Sequence, residues 1–301
     1  MLAHATVDKL TALRLPALAE ALHRQLGNPE FAELSFEDRL GLLVDAEWTH
    51  REQRKLRRRL RAANLRRQAS LEDIDWHSPR RGLDKAQLHA LATCAWIAEH
   101  RNLFLLGPTG IGKSWLAEAF AERACRSGYS AYCARAARLF HDLHVARGDG
   151  SYTRLLARLA KTELLVIDDW GLAPLAPTER HDLLEILEDR AERASTLITS
   201  QLPVEAWHDV IGEPTLADAI CDRLIHTAHV IKLHGPSMRE VRAKAPRGAS
   251  RRRRYDEAVG TTEAGLTARD LGEAIAHLAQ ERRSRSGRYL STPRAETHST
   301  L

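Results

Sequence analysis

The sequence predicts an α/β protein, with a mostly parallel sheet lying between helices and a small all-helical region in front of it. Three observations predict this. Between residues 80 and 235, short apolar runs alternate with amphipathic stretches. A glycine-rich turn joins the first of those runs to a helix-forming segment. Residues 1–80 carry apolar side chains near helical spacing and no strand-like run. The 301 residues suffice for a sizeable core. They divide into a helical region over 1–80, an α/β domain over 81–240 and a basic extension over 241–301.

In the first part, Leu10, Leu13, Leu15, Leu18 and Leu22 recur near the helical period, with Pro16 as a boundary or first-turn residue. Asn28-Pro29 reads as a turn. Ser35 is a plausible cap, and Glu37 and Asp38 favour the positive end of the helix that follows. That helix runs through Leu40, Leu43, Val44 and Trp48. It is expected to continue over 51–68, which hold nine Arg or Lys, one Glu and neither Gly nor Pro.

In the second part, strands are expected at 102–106, 129–134, 164–168, 196–200 and 230–233. Helices at 113–126, 136–145, 178–194 and 217–224 supply the crossovers. In the third part, 245–254 read as linker or tail and include Arg251 to Arg254. A short helix is possible at 266–283 with Thr267 as its cap, and the remainder is expected to be mobile. No separate helical lid is evident after the last strand.

Composition excludes several classes. Cys94, Cys125, Cys133 and Cys221 form no C-x-x-C pair, so neither a zinc ribbon nor a redox dithiol is indicated. The start carries Asp8, Lys9 and Arg14 without a long apolar core, so no secretory leader is expected. No 18-residue apolar run exists, so no membrane span is expected. The reading is a soluble, intracellular protein with reduced, mostly buried cysteines. The net charge is only +5, but 38 of the 45 basic residues are Arg, the side chain best shaped for phosphate. A GC-rich genome accounts for that bias equally well.

The strongest motif is Gly107-Pro108-Thr109-Gly110-Ile111-Gly112-Lys113-Ser114, which matches G-x-x-x-x-G-K-[ST] between an apolar strand and a helix. Its glycines let successive N–H groups and the helix N-terminus face phosphate oxygens. Lys113 can reach the outer phosphates of ATP, and the Ser114 hydroxyl can ligate Mg²⁺.

Residues 164–169, LLVIDD, read as a buried strand that releases two acids at its carboxyl end. Asp168 is the Mg²⁺ candidate, and Asp169 is the candidate base for the attacking water. A turn-capping role for Asp169 is the alternative. In 195–201, STLITSQ, one of Thr199, Ser200 or Gln201 could meet the γ-phosphate or the water if the strand lies beside the first one. Gln201 has the longest reach and comes first. Arg223 is a candidate arginine finger acting in a neighbouring subunit, unless it pairs within its own helix with Asp218 or Asp222.

The segments GPTGIGKS, LLVIDDWGLAPL, STLITSQLPVEAWHDVIGEPTLADAICDRLIH and GPSMR, with RGLD at 81–84, resemble the ATP-binding helper proteins of IstA/IstB-type insertion sequences. The resemblance covers roughly residues 5–240. It implies a P-loop NTPase of AAA+ type related to DnaC-type helicase loaders. It also implies that such a protein binds double-stranded DNA in an ATP-dependent manner, oligomerises with ATP sites between subunits, deforms the DNA and recruits its IstA-type transposase in the bacterial cytoplasm.

Residue by residue, Lys113 and Ser114 take the phosphate and Mg²⁺ roles, and Asp168 and Asp169 take the acidic roles. Ser200-Gln201 falls at the polar sensor, Arg223 at the finger, and Arg239 at a possible nucleotide sensor. Two departures stand out. Pro236 occupies a place where an acid is expected, and about 60 residues follow GPSMR where the family is expected to stop.

The DNA footprint is expected at Arg51, Arg54, Lys55, Arg57, Arg58, Arg59, Arg61, Arg66 and Arg67. These residues spread around several faces of one helix. Phosphate contacts of that kind give affinity without base identity. A helicase loader that favours single strands is the alternative function, and a solvated charged helix is the plain alternative for the basic run.

Overall fold

The computed structural model describes residues 2–76, 82–226 and 228–238, all within one compact unit that spans Met1–Ala243. Three helices come first, α1 (Leu2–Ala12), α2 (Pro16–Gly27) and α3 (Phe36–Ala62). Pro16 occupies the first turn of α2, where its missing N–H costs nothing. The Ser35 hydroxyl accepts from the Asp38 N–H and starts α3. Buried Glu47 of α3 does the same for α2 at a distance, accepting from the Ala17 and Leu18 N–H groups at 3.1 and 3.2 Å and from Arg51 Nε at 2.8 Å. Burial opposes its ionisation, but the hydrogen bonds from Arg51, Leu18 and Ala17 outweigh it and hold the carboxyl below its ordinary range.

Helix α3 ends at Ala62, short of residue 68. The stop is local and tertiary. Asn64 takes a left-handed φ of 55°, a conformation that Asn tolerates better than most residues. Ala63 is fully buried, its carbonyl accepts from the Cys133 N–H at 2.9 Å, and Asn64 Nδ2 donates to the Cys133 carbonyl at 2.9 Å. Arg66 and Arg67 therefore lie beyond the basic helix.

The α/β part runs α4 (Lys85–Ala92), α5 (Ala95–Ala98), β1 (Leu103–Leu106), α6 (Lys113–Arg126), β2 (Ala131–Arg135), α7 (Ala136–Asp149), α8 (Tyr152–Lys161), β3 (Leu164–Trp170), α9 (Pro177–Arg190), β4 (Ser195–Ser200), α10 (Trp207–Ile211), α11 (Pro214–Ile225) and β5 (His229–Lys232). The five strands are parallel in the order β2-β3-β4-β1-β5. All five expected strands and all four expected crossover helices are present. Helices α4, α5, α8 and α10 are additions; α4, α5 and α10 are short, whereas α8 carries a clear helical period in Tyr152, Leu155, Leu156 and Leu159 that sequence reasoning passed over. The fold is a parallel five-stranded sheet between helices, with a glycine-rich loop after β1 and an all-helical region ahead of the sheet.

Alternate strand residues face opposite sides, and each side is sealed by helices. Leu103, Leu105, Leu164, Val166, Leu197 and Ile231 pack with Leu116 and Phe120 of α6 and with Ala63. Phe104, Leu106, Leu165, Ile167 and Ile198 pack with helices α7, α9 and α11 and with Trp207. Three of the four cysteines are buried and none is paired. Among the described residues no helix is long and apolar enough to cross a membrane. The expected 266–283 helix, Thr267, Arg251 to Arg254 and Arg239 lie outside the described residues.

Arg190, at the end of α9, is 1% exposed and, among the described residues, has no carboxylate partner. Its Nη1 donates to the Leu159 and Thr162 carbonyls at 2.6 Å, and its Nη2 to the Ser195 carbonyl. Burial pushes its pKa down to about 10. Thus α8, α9 and the start of β4 share one guanidinium. Arg190→Met removes the guanidinium donor from three buried carbonyls, of which that of Leu159 keeps the Thr162 N–H at 3.3 Å, and each lost bond is expected to cost about 1 kcal/mol. Urea unfolding monitored by circular dichroism should show a loss of about 3 kcal/mol. A loss below about 1 kcal/mol would mean that the carbonyls find other donors.

Candidate functional site

Because every strand is parallel, the segments leaving β1, β3 and β4 open on the same edge. The glycine-rich loop leaves β1 there. Gly107, Gly110 and Gly112 have φ of 145°, 82° and 103°, values that side chains disfavour. A Cβ on Gly107 would run into the Leu233 carbonyl, and one on Gly110 into the Ser237 side chain. The loop is thus braced from behind by the segment after β5. Leu233 N–H donates to the Leu106 carbonyl at 2.7 Å, and Met238 N–H to the Gly110 carbonyl at 2.9 Å. Arg239 is the next residue and lies outside the described set.

Lys113 is 6% exposed, and its ammonium donates to the Gly107 and Pro108 carbonyls at 2.7 and 3.0 Å. Burial lowers its pKa, and Asp169 and Asp168 act against that fall. Ser114, on the first turn of α6, lines a small cleft together with Asp168, Asn64, Arg66, Glu118 and Arg135.

The acidic pair is held by Thr199. Its hydroxyl donates to Asp168 Oδ1 at 2.6 Å and accepts from the Asp169 N–H at 3.0 Å. Asp169 has a φ of 59° where the β3–β4 ladder slips between Ile167 and Trp170. A non-glycine residue in the left-handed region is strained, and such strain concentrates at functional sites. The kink turns Asp169 away from the strand's regular alternation. Its carboxylate is partly exposed and sits 3.6 Å from Arg135 Nε.

Strand β4 does lie beside β1, and Gly107 N–H donates to the Ser200 carbonyl at 3.2 Å. Of the three polar candidates on that strand, Thr199 is the one that touches the acids. The Ser200 hydroxyl donates to the Trp170 carbonyl at 2.9 Å and accepts from the Leu202 N–H, while Gln201 is exposed at the same edge.

Arg223 lies at the other end of the sheet. Its carbonyl and that of Leu224 accept from Asn102 Nδ2 at 3.2 and 3.0 Å, and Asn102 precedes β1 whereas the loop follows it. The guanidinium donates to the Ala219 carbonyl at 2.8 Å and pairs with Glu188 of α9 at 2.9 Å. Neither acid of its own helix holds it, since Asp218 pairs with His208 and Asp222 with His226.

The nine basic candidates separate into three groups. Arg54, Arg57, Arg58 and Arg61 are exposed along α3. Arg51, Lys55 and Arg59 are engaged with Glu47, with Glu52 and with the Cys125 carbonyl. Arg66 and Arg67 flank the Ser114 cleft, where the Arg67 N–H donates to Glu118 Oε2 at 2.8 Å. Glu118 is 6% exposed. Burial pushes its carboxyl up, Asp168 adds to that, and Arg67 and Arg66 pull it back down. Sequence reasoning missed Glu118, Thr199 as the bridging hydroxyl, and Asn102. The spacing of Glu118 four residues after Ser114 was the available signal for the first.

The model of the family of IstB-like ATP binding proteins matches residues 8–245. An insertion-sequence ATP-binding protein of Sinorhizobium fredii is 54% identical over 239 residues, 79% of this chain and 97% of that one. The IS1162 ATP-binding protein of Pseudomonas fluorescens is 47% identical over 206 residues, 67% of this chain and 88% of that one. Among solved structures, DnaI is similar at a TM-score of 0.48 and 23% identity, covering 59% of this chain and 94% of that one. With four-fifths of its length matched by the family model, the chain belongs to the family of IstB-like ATP binding proteins.

Proposed function

We propose that the protein is an ATPase that assembles on duplex DNA, deforms it and recruits a partner transposase of IstA type. The observation that carries this reading is the convergence of Lys113, Ser114, Asp168, Asp169 and Thr199 on one edge of a parallel sheet. The relatives' descriptions as insertion-sequence ATP-binding proteins supply the biological setting.

The loop N–H groups from Thr109 to Gly112 bind the phosphates of ATP, and Lys113 neutralises the outer ones. The Ser114 hydroxyl and the Asp168 carboxylate are hard oxygen donors on one cleft, and among the described residues no cluster of three metal-binding side chains exists. That set fits Mg²⁺, which keeps water and phosphate oxygens in its shell and would supply charge neutralisation at the β- and γ-oxygens.

Asp169 accepts a proton from water as the water oxygen bonds to the γ-phosphorus. The bond from that phosphorus to the bridging oxygen breaks, and ADP leaves. Thr199 keeps Asp168 and the Asp169 backbone in place, and Gln201 extends the polar edge. Arg223 acts in the site of a neighbouring subunit. Residues 1–80 serve as the DNA-binding region through Arg54, Arg57, Arg58 and Arg61, and 81–240 as the ATPase. Phe36, Leu40, Val44 and Trp48 leave an exposed apolar ridge on α3, a surface suited to a protein partner.

Three experiments test the reading. Light scattering with a non-hydrolysable ATP analogue should show a large complex on duplex DNA, weaker on single strands and lost in Lys113→Ala. A preference for single strands would support a helicase loader instead. Asp169→Asn should bind ATP within about threefold of wild type while hydrolysis falls by about 10²-fold or more. A wild-type rate in that variant would remove Asp169 from the chemistry. Arg223→Ala should bind ATP yet lose hydrolysis, and mixing it with Lys113→Ala should restore part of the rate. Mixed assemblies without any recovery would rule out action across an interface.

A further inference from the structure

The end of the basic helix is fixed to the ATPase core at four places. Arg59 Nη1 donates to the Cys125 carbonyl at the end of α6, at 3.0 Å. The Ala63 carbonyl and the Asn64 side chain both bond to Cys133 on β2, the edge strand of the sheet. The fourth contact is the Arg67 N–H on the Glu118 carboxylate. Residues 63–67 thus join α3 to the back of the nucleotide cleft without slack.

Glu118 is the side chain where this connection meets the site. It stands one helical turn beyond Ser114 on the same face of α6, in the cleft that Ser114 and Asp168 also line. It makes no hydrogen bond to Lys113, Ser114 or Asp168. Its carboxylate accepts from the chain that leaves the basic helix. Arg66, which lines the same cleft, forms no ion pair among the described residues. The chemistry proposed above does not use Glu118, yet a carboxylate buried this deeply is costly to retain.

We propose that Glu118 is a positioning residue that couples DNA held along α3 to nucleotide held by the loop. The inference rests on the function proposed above. DNA that fixes the basic helix fixes residues 63–67, and the Arg67–Glu118 hydrogen bond carries that order to the first turns of α6. Nucleotide and metal ordering the Ser114 end of α6 act back along the same path. By linkage, each ligand then raises the affinity for the other by the same factor.

The test uses the full chain and measures the affinity of a fluorescent non-hydrolysable ATP analogue, with and without saturating duplex DNA at fixed salt. Wild type should bind the analogue at least about fivefold more tightly with DNA present. Glu118→Leu, which removes the acceptor, should bring that ratio to within about twofold of one. Its DNA-free analogue affinity should stay within about threefold of wild type. Glu118→Gln keeps an acceptor for the Arg67 N–H and should keep the ratio. Asn64→Gly accommodates the left-handed φ but drops the bond to Cys133. It should weaken the ratio too, which keeps the inference testable if Glu118→Leu does not fold. An unchanged ratio in both Glu118→Leu and Asn64→Gly overturns the inference. Loss of analogue binding without DNA in Glu118→Leu also overturns it, because Glu118 would then belong to the binding machinery. The function it rests on fails separately, if wild type shows no dependence on DNA or if Lys113→Ala binds the analogue normally.

Discussion

A parallel sheet sends all its strands out through one edge, and that constraint sorts the chemistry of this chain. The glycine loop, the acidic pair and the polar end of β4 come from segments separated by dozens of residues. They meet because β1, β3 and β4 run the same way and lie side by side. The crossovers that a parallel sheet requires bury both faces, so the strands are apolar almost throughout and polar groups collect at their ends. Strand β4 departs from this, and its Thr199 and Ser200 hydroxyls link it chemically to β3; Thr199 does so at the acids. It is fully buried, and its hydroxyl is satisfied only because it reaches Asp168 and the Asp169 N–H on the neighbouring strand. A methyl in its place would leave that N–H without its partner and the carboxylate without its lateral support.

The strain at Asp169 belongs to the same arrangement. A left-handed φ in a non-glycine residue costs of order 1–3 kcal/mol and persists only where the surroundings over-determine it. Here the Thr199 hydroxyl holds the N–H of Asp169, and buried Trp170 packs against Trp207 immediately afterwards. In a regular strand, successive side chains point to opposite faces, so one of two adjacent acids would enter the apolar interior. The kink lets both serve the edge, Asp168 towards Thr199 and Asp169 towards Arg135.

Much of this was legible in the sequence because it depends on local pattern. The loop motif, the apolar run before Asp168 and the helical spacing in 113–126 need no knowledge of distant contacts. What escaped reading depends on tertiary partners. The basic run has no local breaker, and only the docking of Ala63 and Asn64 against Cys133 ends α3 at Ala62. Glu118 reads as an ordinary helix-surface acid until the Arg67 N–H is placed over it. Reach favours Gln201, which is exposed at the edge, whereas the contact of Thr199 with the acids follows from register, because its hydroxyl faces β3 there. Charge counting grouped nine basic residues that the fold separates into an exposed set, a set already paired and a pair beside the cleft.

Arg223 shows how the same geometry reaches beyond a single chain. Asn102 fixes it to the starting edge of the sheet, holding the carbonyls that end α11 while its own Oδ1 accepts from the Thr196 N–H at 2.8 Å. A four-residue strand spans about 13 Å at 3.3 Å per residue. The guanidinium therefore starts a full sheet-width from the loop that follows β1, and its own contacts point it to Glu188. Within one subunit it cannot join Lys113 and Asp169. For Arg223 to stabilise charge on the transferred phosphoryl group, as proposed above, it would have to come from a second copy. That copy must present its starting edge to the first one's finishing edge, which is a head-to-tail contact. Under that proposal hydrolysis and assembly become one requirement, and Asn102 holds the end of α11 from which Arg223 would reach the second copy.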